Sequence, residues 1–183
     1  MDTQQDVIAV LVNDHREVEQ MFGELEHMTG GIGEPAKTLA EKVVIELVRH
    51  SIAEEEYLYP AVREHVPGGD KLADQEIAEH DEAERTMKRL EGLEPNENDF
   101  WPTVELLVSQ VRQHVREEEN DLFPRLRETC PPEQLTELGD KVQKAKKLAP
   151  TRPHPAAPAN KLLARGAGLV DRIRDAITGR GRS

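Results

Sequence analysis

The chain has 183 residues, of which 37% are hydrophobic, 33% charged and only 3% aromatic, and its net charge is −12. Scarce aromatic residues favour helices over a β-sandwich, and the absence of a long apolar run excludes a membrane-spanning helix. The N-terminus lacks the features of a secretory signal, and a single cysteine, Cys130, cannot form an internal disulfide or a thiolate metal cluster. We therefore expect a soluble cytoplasmic protein.

Turn signals divide the first 130 residues into four helix-length segments with apolar residues at three-to-four spacing. Their approximate bounds are residues 3–28, 35–66, 71–93 and 102–130. Short loops between helices predict an all-α, up-down-up-down four-helix bundle over residues 1–130. Pro60 and Pro124 interrupt the second and fourth segments, where we expect a kink or the start of a short offset segment. A short additional helix is predicted within residues 131–148.

Charge separates the C-terminal tail from the rest of the chain. Residues 1–140 hold 13 basic and 34 acidic side chains, whereas residues 141–183 hold 11 basic and 2 acidic ones. The acidic part repels phosphates, so we expect no nucleic-acid partner. Residues 149–183 read as a Pro/Ala linker and a basic amphipathic tail. We expect the tail to dock on the acidic bundle of its own chain; a membrane surface or a protein partner are the alternatives.

The two halves of the bundle resemble each other in sequence. Residues 49–64 and 113–128 match at seven of sixteen positions with an offset of 64, and residues 14–19 align similarly with 79–84 at an offset of 65. Two related helical hairpins predict a pseudo-twofold bundle. A site shared by both hairpins is then expected on the twofold axis.

Four of the seven histidines have a glutamate four residues later, one pair on each predicted helix. The pairs are His15–Glu19, His50–Glu54, His80–Glu84 and His114–Glu118. Residues i and i+4 share one face of a helix, so each pair directs an imidazole and a carboxylate to the same side.

Such pairs also occur on solvated Glu-rich helix surfaces, but here His50 and His114 continue apolar stripes. They are expected to face the core, where unpaired carboxylates are costly and a multivalent cation would neutralise them. Mixed nitrogen and oxygen donors, too many for one tetrahedral zinc, favour two adjacent first-row ions. Iron is the first choice and manganese the second.

Four segments, DHREVEQMF, HSIAEEEYLYP, HDEAE and HVREEENDLFP, resemble the hemerythrin-like (HHE cation-binding) domain over about residues 5–130. The resemblance implies a four-helix bundle around an oxo- or hydroxo-bridged pair of iron ions. The implied ligands are His15, His50, Glu54, His80, Glu84, His114 and Glu118. Glu54 and Glu118 would bridge the ions. His15 and His50 would serve the ion with an open position, and His80, Glu84 and His114 the other.

The sequence departs from the oxygen carriers of this family at two positions. Glu84 stands where the carriers have a second histidine, and Glu118 follows His114 by four residues, where they have an aspartate after five. Anionic donors favour the ferric state, which argues against reversible oxygen carriage. We expect reactions with oxygen, peroxide or nitric oxide, with a catalase-like or protective role. Whether there is turnover stays open: an iron- or oxygen-sensing module and a reversible oxygen carrier are the alternatives.

Three further expectations concern residues near these ligands. Glu19 is expected beside the site or on the surface, and Glu55 and Glu119 on the surface. Tyr57, seven residues after His50, is expected to face the site.

Overall fold

The computed structural model describes residues 5–148, so the linker and tail predicted over residues 149–183 lie outside the described part. The helical elements are α1 (Val7–His27), α2 (Glu34–Ala53), the π-helical turn π1 (Glu54–Leu58), α3 (Tyr59–His65), α4 (Gly69–Glu91), α5 (Phe100–Glu117), π2 (Glu118–Leu122), α6 (Phe123–Thr129) and α7 (Pro132–Leu148). No strand occurs within residues 5–148.

The architecture is the predicted up-down-up-down four-helix bundle with an added C-terminal helix. Its four long helices are α1, the run α2–π1–α3, α4, and the run α5–π2–α6. Asp6 caps α1 by accepting a hydrogen bond from the Ala9 amide at 2.8 Å. Gly68 takes a φ of 74° in the turn before α4, a conformation that disfavours residues with a Cβ. None of the described helices is long and apolar enough to cross a bilayer.

The two prolines begin short helices, as one of the two expectations had it, and each follows a π-helical turn. In π1 the Tyr59 amide bonds to the Glu54 carbonyl, and in π2 the Phe123 amide bonds to the Glu118 carbonyl. Pro60 and Pro124 follow directly and open α3 and α6. Proline clashes with the carbonyl four residues earlier, and a wider turn accommodates it without ending the helix.

Two apolar clusters fill the bundle, one on each side of the histidines. The first includes Phe22, Leu25, Val43, Met87 and Leu107. The second includes Leu11, Leu58, Val62, Leu126 and Val142. The histidines therefore lie between two apolar layers, where polar groups interact mainly with one another.

Helix α7 is the predicted fifth helix, and it packs against α1 and α2. Gly139 lies so close to the start of α1 that an added Cβ would sit 2.2 Å from the Gln5 carbonyl oxygen. Leu135, Leu138 and Val142 bury their side chains in the second apolar cluster. The fifth helix is therefore part of the bundle.

Candidate metal centre

Four buried imidazoles meet in two pairs near the middle of the bundle. The Nε2 atoms of His15 and His50 lie 3.1 Å apart, as do those of His80 and His114. Two nitrogen ligands at about 2.1 Å from one ion and at right angles are themselves about 3 Å apart. Each pair therefore has the spacing of two ligands on one ion.

Two fully buried glutamates connect the pairs. Glu54 places Oε1 at 3.0 Å from His50 Nε2 and Oε2 at 3.2 Å from His80 Nε2. Glu118 places Oε2 at 3.4 Å from His15 Nε2 and 3.6 Å from His114 Nε2. Each carboxylate thus approaches one imidazole of each pair, which is the position of a group that bridges two ions.

The donor atoms are those of a metal site rather than of a completed hydrogen-bond network. Both oxygens of Glu54 and Oε2 of Glu118 are buried and have no hydrogen-bond partner among the described residues. The donor atoms of His15, His50, Glu54 and Glu118 lie within 4.8 Å of one another, and so do those of Glu54, His80 and His114. Buried anionic oxygens without hydrogen-bond partners are costly, and cations would satisfy them. These residues fit a pair of metal ions.

Each imidazole also has an acidic partner at Nδ1. His15 contacts Glu119 at 2.9 Å and His80 contacts Glu55 at 3.2 Å. The expectation that these two glutamates are surface residues is wrong, because both reach across the bundle to the opposite hairpin.

The other two imidazoles have partners within their own hairpin. His50 contacts Asp14 at 3.4 Å, and His114 contacts Glu79 at 3.1 Å. Both acidic partners directly precede a histidine in the sequence, Asp14 before His15 and Glu79 before His80, and this position could have identified them. Carboxylates at Nδ1 fix the ring orientation and leave Nε2 for a metal.

Without a metal ion, the carboxylates favour the protonated form of His50, His80 and His114. Burial lowers the pKa of His50, but Glu54 and Asp14 outweigh it and raise that pKa to about 10. Burial also opposes charge on His114, yet Glu118 and its other acidic neighbours raise its pKa well above the usual value. For Glu54, burial raises the pKa, but His50 and His80 bring it well below its usual range. Metal ions would therefore compete with protons here.

The structure does not bring the predicted Glu84 to the donor groups of His80 and His114. Its carboxylate contacts Lys88 at 2.9 Å, one turn further along α4. Glu76, one turn before His80, is 3% exposed, and its donor atoms group with those of His114 and Glu118. The reason is the direction of the helices. Because α4 runs antiparallel to α5, the level that Glu118 reaches four residues after His114 is reached on α4 four residues before His80, at Glu76.

The same geometry places Glu19 at the surface. It follows His15 on α1, which runs antiparallel to α2 and α5, and its carboxylate pairs with Arg112 at 2.6 Å. The sequence left Glu19 beside the site or on the surface, and the structure favours the surface.

Tyr59, rather than the expected Tyr57, reaches the centre. Its hydroxyl donates to Glu118 Oε1 at 3.1 Å and lies 3.1 Å from His80 Nε2. The π turn puts residue i+5 above Glu54, so counting 3.6 residues per turn selects the wrong tyrosine. Phe123, the repeat counterpart of Tyr59, stacks on His15 with ring centroids 5.9 Å apart. Only one of these two counterparts carries a hydroxyl.

A cavity of about 340 Å³ opens onto the four imidazoles between the bundle helices. Apolar side chains of both hairpins line it, together with Arg16, Arg112 and Arg116. A small molecule can therefore approach the Nε2 atoms from this side.

Comparison with known proteins identifies the family. Residues 6–126 match the hemerythrin HHE cation binding domain, so the chain belongs to that family, as the sequence resemblance implied. Together with the His and Glu groups, this makes it a metal-binding hemerythrin-like protein.

Its relatives differ in length and description. An uncharacterised hemerythrin-like protein of Schizosaccharomyces pombe is 25% identical over 170 residues, covering 90% of this chain and 83% of that protein. A DNA nickase of Nostoc is 32% identical over 145 residues, covering 78% of this chain but 38% of that protein. The crystal structure of a hemerythrin HHE cation binding domain-containing protein from Mycobacterium kansasii has a TM-score of 0.69 and 22% identity, and it covers 78% of this chain and 86% of that one. This last likeness supports the fold.

Proposed function

We propose that the centre holds two iron ions, one at each imidazole pair, bridged by Glu54 and Glu118. The observation that carries the proposal is the position of these carboxylates, each within 3.6 Å of one Nε2 atom of both pairs. Four imidazoles with carboxylates and no sulfur donor suit iron, with manganese as the second choice.

We further propose Glu76 in place of Glu84 as the additional carboxylate at the His80–His114 ion. Glu76 Oε2 lies 2.9 Å from His114 Nδ1, a nitrogen that Glu79 also contacts. One Nδ1 proton needs only one acceptor, so Glu79 can keep it while Glu76 turns to an ion. Burial raises the pKa of Glu76, and binding a cation would relieve that cost.

When bound, the iron pair would supply the electrons for reaction with oxygen, peroxide or nitric oxide. The chain's own acidic residues hold each imidazole at Nδ1, so that Nε2 faces the position of the ions, and the cavity leaves these atoms open to a small molecule. Carboxylates stabilise the oxidised pair, so we favour peroxide or oxygen chemistry in a protective role over reversible oxygen carriage.

Metal analysis of protein produced with iron tests the metal proposal. We expect about two iron atoms per chain and the near-ultraviolet absorption of a bridged ferric pair. His50→Ala should lose both, whereas His27→Ala, an exposed α1 histidine bonded to the Gly23 carbonyl, should change neither. A wild-type protein with well under two metal atoms per chain contradicts the proposal.

Glu76→Gln and Glu84→Gln separate the two candidate ligands. We expect Glu76→Gln to weaken binding of one ion by about tenfold or more, the size of loss typical at metal-supporting residues, and Glu84→Gln to leave it unchanged. The reverse result would restore Glu84 as the ligand.

Peroxide disproportionation by the iron-loaded protein tests the reaction. Loss of this activity in His50→Ala supports turnover. A ferrous protein that forms an oxygen complex reversible under vacuum would instead support carriage. A third outcome, iron-dependent protection of the tail from protease without turnover, would support a sensing module.

A sensing role has one contact in its favour. Lys146 near the end of α7 pairs with Asp14, which contacts His50. Metal occupancy at His50 could thus reach the helix that precedes the tail.

A further inference from the structure

The cavity above the imidazoles is larger than a diatomic ligand needs. Its volume of about 340 Å³ lies at the lower end of the range of about 300–1,000 Å³ found for small-molecule sites. A molecule of water takes up about 30 Å³ in the liquid, so oxygen or peroxide would fill only a small part of the cavity. Bound ions would occupy only the end formed by the Nε2 atoms. Room remains for an organic molecule.

The walls determine what kind of body such a molecule has. Apolar side chains from all four long helices line the cavity: Val18, Phe22, Leu47, Met87, Val111 and Val115. Transfer of hydrocarbon from water to such walls is favourable, and ordered water would find few partners there. A hydrocarbon or aromatic body suits this part of the cavity.

The polar groups of the cavity determine the other end of the molecule. Three arginines and three acidic residues line it. Arg16 pairs with Glu119 at 2.7 Å and Arg112 pairs with Glu19 at 2.6 Å. The other two acidic residues have partners as well, since Asp14 pairs with Lys146 and Glu79 contacts His114. Arg116, which is exposed, has no side-chain partner among the described residues. A free guanidinium at the solvent end of an apolar cavity suits a carboxylate, which it can bind through two parallel hydrogen bonds.

We propose that this cavity binds a small amphiphilic carboxylate, with its acid group at Arg116 and its apolar body packed against Val18, Phe22 and Met87. The proposal goes beyond the metal chemistry and does not require a bound ion. When metal ions are bound, they would lie at the end of the cavity formed by the four imidazoles.

Calorimetric titration of the full chain with octanoate and with octan-1-ol tests the proposal. We expect metal-free protein to bind both, octanoate the more tightly. Arg116→Gln should weaken octanoate by about tenfold and leave octan-1-ol unchanged, since one charged hydrogen-bonded contact is lost. Arg85→Gln is the matched control, because Arg85 is exposed, lies on α4 and does not line the cavity.

Filling the cavity tests its location. Ala83 lines the cavity, so Ala83→Phe should abolish binding of both probes. Val18→Phe fills it from another helix and replaces Ala83→Phe if that variant does not fold. Octanoate binding that survives both Arg116→Gln and a folded filling variant overturns the proposal, as does no binding of either probe at millimolar concentration.

Titrating the metal-loaded protein separates this proposal from the proposed function. Octanoate should then also perturb the absorption of the metal centre. Octanoate binding by a chain that takes up no iron would refute the iron proposal alone. Full iron loading without octanoate binding would refute the cavity proposal alone.

Discussion

Metal binding at this centre must compete with protons, and the competition can be measured. In the metal-free protein the pKa of His50 is about 10, because Glu54 and Asp14 outweigh the effect of burial. His80 and His114 also have raised pKa values, since acidic groups outweigh burial at both. A metal ligand must release its proton from Nε2. Loading at neutral pH should therefore expel protons from these three imidazoles.

The magnitude follows from the pKa of His50. At pH 7 this imidazole lies about three pH units below its pKa, and each unit corresponds to about 1.4 kcal/mol. Freeing it opposes metal binding by about 4 kcal/mol, or about a thousandfold in affinity. Each proton displaced adds about one to the slope of log affinity against pH. His50 alone should therefore give a slope of about one, and the raised pKa values of His80 and His114 should add to it.

Zinc titrations followed by calorimetry provide the assay, because zinc has no redox chemistry to complicate the heats. Buffers of different ionisation enthalpy give the number of protons released, and titrations from pH 6.5 to 8.5 give the slope. The exposed-histidine variant His27→Ala should behave as wild type. Affinity independent of pH, with less than one proton released, would show that the imidazoles are neutral in the metal-free protein and would refute the reasoning.

Three further results are expected. His50 should stabilise the metal-free protein fully below a pH of about 6.5, its pKa in the unfolded chain, and this stabilisation should be lost as pH rises to about 10, its pKa in the folded protein. Thermal melts should show this decrease for metal-free protein and a smaller one for metal-loaded protein. Tyr59→Phe should lower the unfolding free energy of metal-free protein by about 1.5–3 kcal/mol in urea titrations, since its hydroxyl donates to a buried carboxylate; an unchanged value would contradict the contact. Lys146→Met should lower the unfolding free energy by about 1–3 kcal/mol and weaken zinc binding, because buried Asp14 loses its cationic partner. The control Lys147→Met, at an exposed neighbouring position, should stay within about 0.5 kcal/mol of wild type. Equal effects of the two variants would contradict a specific role of Lys146.

The sequence predicted the bundle because helix periodicity and turn residues are local signals. Histidines at one level of four helices also follow from local spacing, and the resemblance to the hemerythrin-like domain implied their pairing. The identity of the third carboxylate ligand depends on more than spacing. His80 has a glutamate four residues later, Glu84, and another four residues earlier, Glu76. Both lie one turn from His80, and the direction of the helix determines which of them reaches the centre. Antiparallel topology, which the loops predict, already favoured Glu76 over Glu84.

The tyrosine could not be chosen in this way. A π turn shifts every later residue by about one position around the helix, and nothing in the spacing of Glu54, Tyr57 and Tyr59 shows that it is there. Pro60 and Pro124 were the sequence features associated with the π turns, and a proline in a helix predicts a kink as readily as a wider turn. Contacts across the bundle, such as Glu119 with His15, depend on helix packing that local patterns do not encode.

The internal repeat makes the two imidazole pairs comparable, so its exceptions indicate how the two metal positions would differ. Tyr59 and Glu76 lie beside the His80–His114 pair, whereas their repeat counterparts are Phe123 and Leu11, whose side chains carry no oxygen. The His80–His114 side therefore has more oxygen donors and suits the harder, more oxidised ion.

The acidic groups behind the imidazoles strengthen this difference. Asp14 behind His50 is paired with the cation Lys146, whereas its counterpart Glu79 behind His114 contacts the neutral amide of Gln75 at 3.5 Å. A carboxylate whose charge is already balanced makes its imidazole a weaker donor than one whose charge is not. The ion at His15 and His50 would thus be held less tightly, on the side where Phe123 supplies no further ligand. Partial loading with zinc should fill the His80–His114 side first, and Glu76→Gln should remove that preference.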